Sequence, residues 1–109
     1  MESQHFTSRD WMLFKNRIAD WQEAYMDRLN KEYIALLSTD ANASDKFWEL
    51  EKRIRDDRRS AGVQIEMRKS MFISNLLSLL KDEVITLDDL NEFSDELKAA
   101  IGRFLRTED

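Results

Sequence analysis

A chain of 109 residues with 42% hydrophobic and 36% charged side chains has room for one domain and one core of ordinary size. It has no Pro, no Cys and two Gly (Gly62 and Gly102), which excludes turn-rich β architectures, disulfides and thiolate metal centres. The formal net charge of −5 is uneven: residues 1–45 carry −3, residues 46–80 carry +3 and residues 81–109 carry −5. A basic middle between acidic ends suits self-complementary packing better than nucleic acid.

The predicted fold class is all-α: a compact bundle of about four helices with a long N-terminal helix and up-down connectivity. Residues 1–7 are expected to form a flexible N-terminus, residues 8–106 a single helical-bundle domain, and residues 107–109 a flexible C-terminus. The start, Met-Glu-Ser-Gln-His, lacks the basic and apolar pattern of a secretory signal. The most apolar run, Met71 to Leu80, is interrupted by Ser74, Asn75 and Ser78 and falls short of the roughly 20 residues a membrane span needs. A soluble, cytoplasmic protein with no membrane partner is the expectation.

Trp11, Phe14, Ile18, Trp21, Tyr25, Leu29, Tyr33, Leu36 and Leu37 recur at steps of three and four. That spacing predicts one apolar stripe on a helix running to about Leu37, roughly 45 Å long, with Thr7 or Ser8 as its N-cap and Asp10 in its first turn. The heptad rhythm breaks at Arg28, so this reads as a bundle helix and not a rod. Ser38-Thr39-Asp40-Ala41-Asn42 stops it. A second helix, Asp45 to about Arg59 capped by Ser44, carries a narrow apolar stripe of Ala43, Phe47, Leu50, Ile54 and, past its end, Ala61. Its Glu49–Arg53 and Glu51–Arg55 spacings suit i,i+4 ion pairs. Gly62 reads as the left-handed turn residue before a third, central helix from about Val63 to Lys81, on which Ser74 and Ser78 suggest a groove for close helix approach. Thr86-Leu87-Asp88-Asp89 is a capping box. The apolar phase of Leu90, Phe93, Leu97, Ile101 and Phe104 favours one fourth helix with a possible kink at Ser94 over two separate pieces.

No catalytic, cofactor or metal constellation stands out. Asp82 to Leu90 resembles half of a calcium-binding loop, but the required ligand and glycine positions hold Leu80 and Glu83. Leu87 to Leu105 laid on a helix-turn-helix puts Asp95 at the turn glycine and an acidic helix start toward phosphate. The only histidine, His5, lies in the terminal segment. All-α nucleoside triphosphate pyrophosphohydrolases hold magnesium with Glu-x-x-Glu and Glu-x-x-Asp pairs. Here only Asp20-x-x-Glu23 and Glu92-x-x-Asp95 are present, so a magnesium-dependent phosphohydrolase is the third-ranked reading.

The most suggestive surface is on the second helix, where Trp48 shares a face with Lys52, Arg55 and Arg59, and Arg68 and Lys69 add further charge. An indole among cations can anchor an acidic protein partner or stack a base while the cations meet phosphates. The simpler expectation is that Trp48 packs on the first or fourth helix, with the cationic heads paired to Asp88, Asp89, Glu92, Asp95 or Glu96. The first helix also outreaches any single shorter helix, so a second copy covering part of its stripe is a further expectation. The leading function is therefore a non-catalytic protein–protein interaction or regulatory module, with self-association as a homodimer one form of it. Nucleic-acid or polyanion binding ranks second because the overall acidity opposes it.

Overall fold

The structure, a computed structural model, describes residues 5–107, and no strand is found among them. The expected flexible ends fall partly outside that range. Within it, Phe6 lies edge-on to Phe72 with ring centroids 4.7 Å apart, Thr7 caps the first helix, and Thr107 closes the last.

Helix α1 spans Ser8–Leu37. Its first turn is closed by a capping box: the Thr7 Oγ1 accepts from the Asp10 N–H at 3.1 Å, and Asp10 Oδ2 accepts from the Thr7 N–H at 2.9 Å. Helix α2 is Ala43–Asp57, with Asn42 and not Ser44 at the N-cap position. Helix α3 is Phe72–Lys81, preceded by a 3₁₀ turn over Lys69–Met71, and α4 is Asp95–Thr107, preceded by a 3₁₀ turn over Leu87–Leu90.

Two expected helices are shorter than their sequence patterns suggest. The third does not begin at Val63. Val63, Ile65 and Met67 alternate with Gln64, Glu66 and Arg68, a period of two, and no helix forms there. The buried Asn75 amide on α3 donates to the Glu66 carbonyl at 2.9 Å, which ties that stretch down outside the helical ladder. Ser74 and Ser78 are exposed, and no helix of the described residues packs against them.

The fourth helix is not continuous either. Ser94 Oγ accepts from the Leu97 N–H at 3.1 Å and starts a new helix there, while Asp10 takes both the Ser94 N–H and its hydroxyl. The capping box at Thr86 is present but opens only the 3₁₀ turn.

The four helices pack on one another as a bundle in which α1, α2 and α3 alternate in direction, while the segment 83–94 makes the descent after α3, so that α4 starts beside the first turn of α1. Helix α2 descends beside α1, α3 climbs back from Phe72 near Trp11 and Phe14 to Glu83 near Arg28, and Ser94 returns to Asp10. The core sits around the first half of α1, where Phe14 and Ile18 meet Phe72, Leu76, Leu79, Ile85, Leu90, Phe93, Leu97 and Ile101. Helix α3 ends in a Schellman motif: the Val84 N–H reaches the Leu79 carbonyl at 2.9 Å, the Glu83 N–H reaches Leu80 at 3.1 Å, and Glu83 sits at φ 60°.

Because α1 outruns this core, the molecule measures 57 × 30 × 23 Å. Its radius of gyration is 16.9 Å, against about 13 Å for a globule of this length. The second half of α1 and all of α2 form a hairpin extending from the core.

Candidate functional site

Helix α2 contributes no fully buried residue. It is held to α1 by polar contacts. The Tyr33 hydroxyl donates to Asp57 Oδ2 at 2.6 Å, Arg53 pairs with Glu32 at 2.6 Å, and the Lys46 ammonium donates to the Leu37 and Thr39 carbonyls at 3.0 Å each. That last contact places a cation at the negative end of α1, whose own last turn has none. Burial, the bond to Asp57 and the charge of that carboxylate push the Tyr33 phenol up to about 12.

The expected apolar stripe of α2 is only partly used. Leu50 is half-buried, but Phe47 is 60% exposed and Ile54 40% exposed, and on α1 Ile34 is 63% and Leu37 46% exposed. Trp48, expected to pack on α1 or α4, is 64% exposed and touches Phe47 edge-on at 4.9 Å between ring centroids. The reason is the length of α1: α3 and α4 cover its first half, so nothing within the described residues lies over the outer side of the hairpin.

Apart from Trp48, these exposed apolar side chains share one side. With Tyr33 and Asp57 as facing positions, a turn of 100° per residue puts Asn30, Leu37 and Ile34 at about +60°, +40° and +100° on α1. It puts Ile54 and Phe47 at about +60° and +80° on α2, with Trp48 at about 180° on the outer edge. Asn30 and Ile54 line one groove with Met26, Leu29, Tyr33, Asp57, Arg58 and Val63, so the positive senses coincide. The groove, about 300 Å³, continues the apolar side toward the core.

The expected cationic cluster is only partly assembled. Trp48, Lys52 and Arg55 lie along the outer edge of α2, all exposed, with Arg55 bonded to Glu51 at 2.8 Å. Arg53 turns to Glu32 and Asp57 instead of Glu49. Arg59 lies beyond the end of α2 and lines a hollow with Asp56, Asp57 and Asp82. Arg68 pairs with Glu66 at 2.7 Å. Lys69 lines a hollow with Phe6 at the other end of α1, about 45 Å from the hairpin tip by helix length. The cationic heads do not meet Asp88, Asp89 or Glu96 in any ion pair among the described residues, while Glu92 pairs with Arg17 and Asp95 with Lys98. Asp20 and Glu23 are exposed, and among the described residues no three His, Asp or Glu side chains converge as a metal site.

Sequence reasoning missed two polar side chains that organise the fold, Asp10 and Asn75. Asp10 was visible as a first-turn acid, but nothing local announces that it is fully buried. Phe47 and Ile54 lie on the expected narrow apolar stripe of α2, and the narrowness of that stripe on a helix otherwise rich in charge was the available signal that it would stay partly exposed. No helix of the described residues is long and apolar enough to cross a membrane. No protein-family model, curated protein or solved structure matches the chain.

Proposed function

We propose that this chain is a small non-catalytic interaction module of the cytoplasm that engages a protein through its α1–α2 hairpin. One observation carries the reading: Ile34, Leu37, Phe47, Trp48 and Ile54, 40–64% exposed, are gathered on one extended element. Single exposed apolar residues are ordinary, but a contiguous patch rimmed by charge marks a binding surface. Trp48 and the adjoining Phe47 have the character of interface anchors. The test is a photoreactive phenylalanine placed at Phe47, with the same group at Asn16 as a control, in cells that make the protein. Discrete protein adducts at position 47 and none at position 16 are expected; no adduct at 47 would sink the reading.

Polyanion binding through Trp48, Lys52, Arg55, Arg59, Arg68 and Lys69 is the second reading, favoured by the exposed indole beside Lys52 and Arg55. It ranks lower because Arg55 and Arg68 are already paired, Arg59 adjoins three carboxylates, and Lys69 is a helix length away. A salt-sensitive mobility shift lost in the Lys52/Arg55/Arg59→Ala triple variant would promote it. A magnesium-dependent phosphohydrolase using Asp20, Glu23, Glu92 and Asp95 ranks third, and magnesium-dependent thermal stabilisation by a nucleotide would revive it.

A further inference from the structure

Resting on the interaction reading, we propose that the occupant of the hairpin's apolar side is a second copy of this chain. Two hairpins close face to face about a two-fold axis parallel to α1, forming an intermolecular four-helix bundle.

Two considerations favour a second copy over a foreign helix. An antiparallel helix pair with one apolar side is half of a four-helix bundle, and the chain supplies the other half itself. Ile34, Leu37, Phe47 and Ile54, with Trp48 at their outer edge, offer on the order of 500 Å² per copy. Doubled and rimmed with polar groups, that reaches the roughly 1,200–2,000 Å² of a stable specific interface.

Charge then selects the axis. The outer rim of α1 carries Asp27, bridged to Lys31 at 3.0 Å, and the outer rim of α2 carries Arg58 and the Glu51–Arg55 pair. A two-fold along the hairpin lays α1 over the partner's α2 and brings unlike charge together, whereas the perpendicular axis lays α1 on α1. The Glu32–Arg53 and Leu37–Lys46 contacts fix which residues of α1 and α2 stand at the same height. At that register Asp27 lies opposite Arg58 of the second copy, and Leu37 lies opposite Phe47.

The test uses the full chain in sedimentation and light scattering up to about 100 µM, a range that detects dimers of micromolar affinity. The expected mass is twice 13.0 kDa. Phe47→Glu, at an exposed position, raises the dimer dissociation constant about thirtyfold or more with an unchanged circular dichroism spectrum. Asp27→Arg and Arg58→Asp each weaken the dimer, and combining them restores it. The chain has no cysteine, so an equimolar mixture of Leu37→Cys and Phe47→Cys chains reports the pairing directly, and the crossed disulfide dimer dominates over either self-dimer. A wild-type monomer across that range overturns the second copy while leaving position-47 adducts to other proteins as support for the broader reading. A dimer that ignores Phe47→Glu, or that yields Phe47→Cys self-dimers in preference to the crossed pair, overturns the proposed face or axis.

Discussion

The carboxylate of Asp10 accepts the Ser94 N–H at 2.8 Å and the Ser94 hydroxyl at 2.6 Å, joining the first turns of α1 and α4 across 84 residues. The same carboxylate closes the capping box with Thr7, and Ser94 in turn caps α4 through Leu97. One fully buried charge therefore serves two helix N-termini, where a negative charge is favoured by both dipoles.

Asp10→Asn supplies one acceptor oxygen where the carboxylate used two, and turns an amide donor toward groups that already donate. The expected loss is about 2–4 kcal/mol, read as a lower urea midpoint with an unchanged slope.

The pH response of wild type follows from the same group. Burial alone would raise the Asp10 pKa, but the bonds from Ser94 and Thr7 outweigh it and hold the carboxyl below its usual value of 3.8. A depressed folded pKa contributes stability above the unfolded value, and that contribution is lost as pH falls through the folded one. Wild type should therefore lose stability below about pH 4 more steeply than Asp10→Asn in acid denaturation curves.

Tyr33 gives the opposite sign. Its folded pKa is raised to about 12, so its contribution is intact below the ordinary value of 10.0 and is lost as pH rises through about 12. The near-ultraviolet phenolate signal of wild type should show a component titrating near that upper value. Tyr33→Phe should abolish it and loosen the hairpin by about 1 kcal/mol.

Gly62 was expected to serve a left-handed turn, but no described glycine has a positive φ. Its role is close approach: an added Cβ would sit 2.7 Å from Cγ and Cε2 of the Tyr25 ring. Gly62→Ala should destabilise by about 1–3 kcal/mol, seen as a lower melting temperature. A neutral effect would mean the ring moves freely.

Glu83 is the converse case. It holds φ 60° at the residue after the α3 cap, a conformation in which a Cβ is unfavourable. Its carbonyl accepts from Arg28 at 2.7 Å, a backbone contact that substitution leaves in place. Glu83→Gly should raise the melting temperature by several degrees, about 0.5–1 kcal/mol.

What the sequence by itself determined is what repeats locally. The stripe from Trp11 to Leu36 is buried or half-buried as its spacing requires, with Leu37 left exposed, and the absence of Pro together with only two Gly already points to helices. Helical periodicity is a property of neighbours in the chain, so it can be read without knowing the fold.

Tertiary structure decided the rest. The apolar phase runs through Ser94, yet the helix breaks there because Asp10, far away in sequence, claims its donors. The central helix starts at Phe72 because Asn75 holds the Glu66 carbonyl outside the helical ladder. Phe47 and Ile54 have the spacing of core residues, but the bundle is spent on the first half of α1 and leaves their side of the hairpin open. Periodicity states which side chains share a face; only the paths of the other helices determine whether that face is covered.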